Sequence, residues 1–182
     1  ADLIAQAEHD ESAQSILLAD DIKIIKKVNY FLLQQLKNLP KKKIAYKSLK
    51  NFGLSILIKN QKILTDTINL IAPEHLEIFT KNADKILKNV RNAGSIFLGE
   101  YSPEAVGDYL AGPNHVLPTS GSARFSSGLS VYDFFKRYSV IKMTKSGIER
   151  LGTSVINLAE YENLKGHANS IKIRLKKGKL VG

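Results

Sequence analysis

Strand-like and helix-like stretches alternate along most of this 182-residue chain. That alternation narrows its possible folds more than any other feature. Gln14-Ser15-Ile16-Leu17-Leu18-Ala19 is a short apolar run of strand length. Asp20 and Asp21 then open a stretch in which Ile22, Ile25, Val28, Phe31, Leu32 and Leu36 keep the 3.6-residue helical period, closed by Pro40. Residues 41–51 predict another short helix, stopped near Gly53, and Leu54-Ser55-Ile56-Leu57-Ile58 a buried strand. Residues 62–71 repeat the helical period. Residues 76–80 alternate like a strand, and 83–90 read as a helix with Gly94 as its C-terminal cap. Ser95-Ile96-Phe97-Leu98-Gly99 is a further strand. Ser102-Pro103-Glu104 reads as a helix start, with Ser as N-cap, Pro at the first position and an acid in the first turn. The expected fold is α/β, with a mostly parallel sheet and helices on its faces.

The pattern breaks at 112–128, where Gly112, Pro113, Pro118, Gly121 and Gly128 sit among serines and threonines. A loop of that length in a compact domain is usually functional or disordered. Beyond it, 131–137 predict a helix, 138–143 a strand, 146–164 an amphipathic helix and Ser170-Ile171-Lys172-Ile173-Arg174-Leu175 an edge strand. The expected division is an α/β domain over 1–128 and an appended arm over 129–182 that packs on a partner chain.

Several function classes are excluded by composition. With no Cys, disulfides, Cys-zinc sites and Cys nucleophiles are ruled out. No apolar run nears the roughly 20 residues that a spanning helix needs, and no signal-peptide pattern opens the chain, so no membrane is expected and a cytoplasmic setting is the default. The chain begins Ala1-Asp2-Leu3-Ile4 without Met, as a processed chain or a piece of a longer protein would. Net charge is +10, but the lysines are scattered and no aromatic–basic platform accompanies them, so a nucleic-acid partner is not expected. The cluster at Lys41-Lys42-Lys43 reads as cations past a helix end, and Lys176-Lys177-Gly178-Lys179 as a frayed tail.

Chemistry concentrates around the four histidines. Ala72-Pro73-Glu74-His75-Leu76 sets two proton carriers side by side, and neighbouring side chains diverge, which suits two separate transfers on one substrate. Gln6 and His9 are spaced i, i+3, so on a helix they share a face and could hold one metal ion. Asp108 stands on the helix begun by Ser102, just before the long loop, and His167 follows the last long helix. These N and O donors suit Zn²⁺ or a similar ion; the same residues also suit capping and surface roles. His115, in Pro113-Asn114-His115, reads as a turn residue or a substrate contact, and Glu162 as a solvated helix end. No Gly-x-Gly-x-x-Gly or Walker loop is present.

Taken in order, Gln6-Ala7-Glu8-His9, Ala72-Pro73-Glu74-His75-Leu76, Gly94-Ser95-Ile96-Phe97-Leu98-Gly99, Ser102-Pro103-Glu104, Gly107-Asp108-Tyr109, Gly112-Pro113-Asn114-His115-Val116-Leu117-Pro118-Thr119 and the late His167 resemble the C-terminal portion of histidinol dehydrogenases. The resemblance implies a partial Rossmann-like sheet and two NAD-dependent oxidations of L-histidinol to L-histidine through an aldehyde. It implies Zn²⁺ held by Gln6, His9, Asp108 and His167, with His75 as the base of the first oxidation and Glu74 activating water on the aldehyde. His115 and Glu162 match substrate contacts. A homodimer whose crossed C-terminal arm brings Glu162 and His167 to the partner's site is implied as well. The resemblance covers only part of the family's usual length, without most of its NAD-binding domain, so an isolated chain without useful turnover is expected, either a fragment of a split or truncated gene or part of an enzyme with a separate N-terminal chain. The alternatives are an inactive remnant or assembly module, and a basic nucleic-acid-binding protein.

Overall fold

A computed structural model describes residues 1–176. The expected tail falls, from Lys177 on, outside the described residues. The chain divides into two compact units, Ala1–Phe134 and a second beginning at Phe135.

The first unit runs α1 (Asp2–Ala7), β1 (Ile16–Ala19), α2 (Ile22–Leu36), α3 (Lys42–Phe52), β2 (Leu54–Leu57), α4 (Gln61–Ile71), β3 (His75–Ile78), α5 (Ala83–Leu87), β4 (Ser95–Leu98) and α6 (Glu104–Tyr109). Strands pair in parallel, as the alternation implies, but as two separate pairs: β1 with β2 and β3 with β4. Leu18 of β1 packs with Leu76, Ile78 and Leu98 of the other pair, together with Ile68 of α4 and Ile86 of α5. Burying a side chain such as Ile78 in this cluster contributes roughly 1.5–3 kcal/mol. A second cluster joins Ile4 and Ala7 of α1 to Leu36 of α2 and Ala45 of α3.

Local sequence explains the starts and stops. Asp21 caps α2 through the Lys23 N–H, and Asn60 caps α4 through the N–H groups of Lys62 and Ile63. Ala72 ends α4 in the left-handed region, at φ 51°, and Pro73 then starts the chain toward β3. Buried Asn69 on α4 ties down the segment that leads into β4. Its Nδ2 donates to the Asn89 carbonyl, and its Oδ1 accepts from the N–H groups of Arg91 and Asn92.

Five expectations are corrected in this unit. β2 is largely exposed rather than buried, with Leu54 and Leu57 open to solvent. α2 already closes at Leu36, so Lys42 and Lys43 stand in the first turn of α3 rather than at the end of α2. α5 ends at Leu87, and Lys88 rather than Gly94 is its cap. Gly94 instead pairs its N–H with the Pro73 carbonyl. A Cβ there would stand 2.6 Å from the Glu74 carbonyl oxygen, so close strand approach requires glycine. Ser102 does not cap α6, whose first N–H is taken by a side chain from β3. The irregular 112–128 segment is pinned by Arg124, which donates to the carbonyls of Gly121 and Leu70.

The second unit is an α-helical hairpin of α7 (Lys145–Tyr161) and α8 (Lys165–Leu175). The expected edge strand over 170–175 is therefore helix. Ile171 and Leu175, four residues apart, share one helical face and close on Gly152 of α7, where a Cβ would meet them at 3.1 and 2.8 Å. Residues 138–143 form no ladder among the described residues, with Tyr138, Val140 and Ile141 exposed. Only Val131–Phe134 of the expected 131–137 helix is helical, as a single 3₁₀ turn.

Candidate active site

The site is built on β3, β4 and α6. Alternation along β3 sends Leu76 and Ile78 into the core and His75 and Glu77 to the opposite face. Phe97 of β4 shares that second face, with its ring centroid 6.1 Å from that of His75. Buried Gly107 lets α6 settle directly on Phe97; a Cβ there would fall 2.5 Å from the ring. Glu104 and Asp108 stand four residues apart on α6, on one face, and that face meets His75.

His75 lies between the two carboxylates, its Nδ1 3.4 Å from Glu104 Oε1 and its Nε2 3.5 Å from Asp108 Oδ1. Its side chain is only 12% exposed. Both ring nitrogens are buried without a hydrogen-bond partner among the described residues. Buried polar atoms are rarely left so, and this pair marks where the polar groups of a ligand are expected. His9 reaches the same carboxylate from the turn after α1, with Nε2 4.0 Å from Glu104 Oε1. His115, from the irregular loop, has Nδ1 3.9 Å from Asp108 Oδ1. Burial, reinforced by the charges of Asp108, Glu77, Glu74 and Asp2, pushes the Glu104 carboxyl up to about 7. Burial likewise raises Glu77, against the lowering effect of its bond to the Glu104 N–H.

The donor set fits a divalent ion. One ligand atom each from His9, Glu104 and Asp108 can lie within 4.8 Å of one another, and imidazole with carboxylate oxygens is the chemistry zinc takes. The carboxylate charges that add to the effect of burial on Glu104 are what a bound cation would offset.

Of the residues singled out from the sequence, the structure brings together His75, Asp108, His9 and His115, and places Glu74 near enough for its charge to be felt at Glu104. Gln6 is half-buried in the last turn of α1. The shared helical face expected for Gln6 and His9 is corrected: α1 stops at Ala7, and His9 lies in the turn beyond, its N–H pointing to the Gln6 carbonyl. Glu162 caps α7, and His167 lies in the first turn of α8 rather than at the end of the long helix; both belong to the second unit. Sequence reasoning missed Glu104 and Glu77 as site residues. Their signal was present in the i, i+4 spacing to Asp108 and the i, i+2 spacing to His75.

The histidinol dehydrogenase family model matches residues 1–175. Histidinol dehydrogenase of Pelagibacter ubique is 54% identical over 97% of this chain, which spans 41% of that relative. The Caldanaerobacter subterraneus enzyme of the same name is 51% identical over 96% of the chain and 40% of its own length. A crystal structure of histidinol dehydrogenase from Elizabethkingia anophelis superposes with a TM-score of 0.90 at 39% identity, covering 96% of this chain and 40% of that one. The chain thus spans about two fifths of the length of the relatives it matches.

Proposed function

The chain belongs to the histidinol dehydrogenase family, and from that premise we propose that it supplies the metal- and substrate-holding part of an enzyme of histidine biosynthesis, acting in the cytoplasm. The reaction is oxidation of L-histidinol to L-histidine through histidinaldehyde, with NAD as the hydride acceptor. The observation that carries this reading is His75, buried between Glu104 and Asp108 with neither ring nitrogen hydrogen-bonded among the described residues, and with His9 beside them.

In this reading His75 accepts the hydroxyl proton while the carbinol hydride departs, leaving the aldehyde. The protonated ring then faces two carboxylate oxygens. Glu74 takes a proton from the water that adds to the aldehyde carbon, the resulting hydrate anion gives up a second hydride to a second oxidised NAD, and the acid so formed releases its proton to leave the carboxylate. The chain offers no thiol of its own, and a hydrate formed by water is the intermediate that its residues can serve. His9 and Asp108, gathered with Glu104 about one point, would hold zinc, and the resemblance adds Gln6 and His167 to the ligands. Zinc held there would supply orientation of the substrate. His115 lines the substrate. A second copy of the chain supplies Glu162 and His167 through its crossed arm; a monomer that binds zinc through its own His167 would contradict that.

The test is reconstitution. The chain alone should give no histidinol-dependent NADH, whereas mixing it with the uncovered portion of the Pelagibacter ubique relative should, and His75→Asn should abolish it. NADH from the chain alone would overturn the need for a second part. A mixture that assembles and stays inactive would overturn the enzymatic reading.

A further inference from the structure

We propose that Glu77 is a positioning residue for this site: its carboxylate, fastened to the first N–H of α6, sets where Glu104 and Asp108 face His75 and His9. The proposal rests on reading this cluster as a metal and substrate site.

Glu77 Oε1 accepts from the Glu104 N–H at 2.8 Å. That bond crosses from β3 to α6, and among the described residues it is a side-chain cap that α6 does not supply for itself: Pro103 stands at the N-cap and makes no side-chain capping bond. α6 has only six residues, far too few to hold itself together in water, so its place is imposed from outside. Among the described residues, the Gly107 seat on Phe97 and the Glu77 bond both hold it. The Phe97 seat is apolar and non-directional, whereas a charged acceptor on a helix N–H fixes both height and rotation. Because Glu104 and Asp108 lie on one face of α6, a small rotation moves both carboxylates relative to His75 together. Glu77 sits two residues from His75 on the same strand face and opposite Phe97 in the β3–β4 register. One rigid ladder therefore carries the imidazole, the seat and the fastening.

The test compares Glu77→Leu with Glu77→Gln in the full chain, reading zinc affinity by calorimetry and the His75 ring resonance by NMR without metal. Leu removes the acceptor at similar bulk; Gln keeps an acceptor oxygen. With Leu, zinc should bind about 10–100-fold more weakly, the His75 resonance should move, and the Glu104 amide should lose protection from deuterium exchange. Gln should restore all three, which a general loss of packing would not allow. A folded Leu variant that keeps wild-type zinc affinity and an unmoved His75 resonance overturns the proposal. If the unsubstituted chain takes no zinc, the reading of the site fails instead. The His75 resonance then decides alone: displacement by Leu and recovery by Gln support positioning, and no displacement sinks it.

Discussion

Nδ1 of His75 lies 3.4 Å from Oε1 of Glu104, although one residue opens a strand and the other a helix. The sheet delivers the imidazole and α6 delivers the carboxylate. Any change that lifts α6 off the sheet should therefore disturb the site before it unfolds the domain.

The Glu104 carboxyl ties stability to pH in the metal-free chain. Its pKa rises from 4.5 to about 7 on folding, so the folded state favours the protonated form. The stabilisation is fully present below about pH 4.5 and is lost as pH rises through about 7. Urea midpoints measured across that range should fall for the unsubstituted chain and fall less for Glu104→Gln. Parallel curves would contradict the burial of this group.

Gly107→Ala places a methyl against the Phe97 ring. Overpacking of this kind costs roughly 1–3 kcal/mol. Because the clash is with a side chain, Phe97→Leu should relieve part of it, and a double-mutant cycle by denaturation should show coupling. Gly94→Ala meets a backbone oxygen, so no single side-chain change should rescue it.

Asn69 holds three backbone groups of the 89–92 segment. Asn69→Leu leaves two part-buried donors and an acceptor without their partner and should cost roughly 1–3 kcal/mol by urea denaturation. A cost under about 0.5 kcal/mol, the range of neutral surface changes, would show that the segment finds other partners.

Much of this was legible in the sequence because its signals are local. The 3.6-residue period fixes α2 and α4, and strand alternation at His75-Leu76-Glu77-Ile78 assigns the two faces of β3. The C-terminal Ile171-Lys172-Ile173-Arg174-Leu175 misleads because alternation over so few residues also contains an i, i+4 pair, and the small surface of Gly152 settles it as helix. β2 reads as buried because its residues are apolar, yet a strand's cover is a tertiary matter. The same limit hid Glu104: as a first-turn acid it looks like helix-dipole compensation, and only the packing of α6 on Phe97 makes it a buried site carboxylate.

The most direct measurement is a zinc titration of the chain by calorimetry, with and without L-histidinol. One tight zinc per chain, lost in His9→Ala and Asp108→Ala, with histidinol binding only when zinc is present, is the predicted result. Histidinol binding that ignores zinc, or no specific zinc binding at all, would contradict the account of the site.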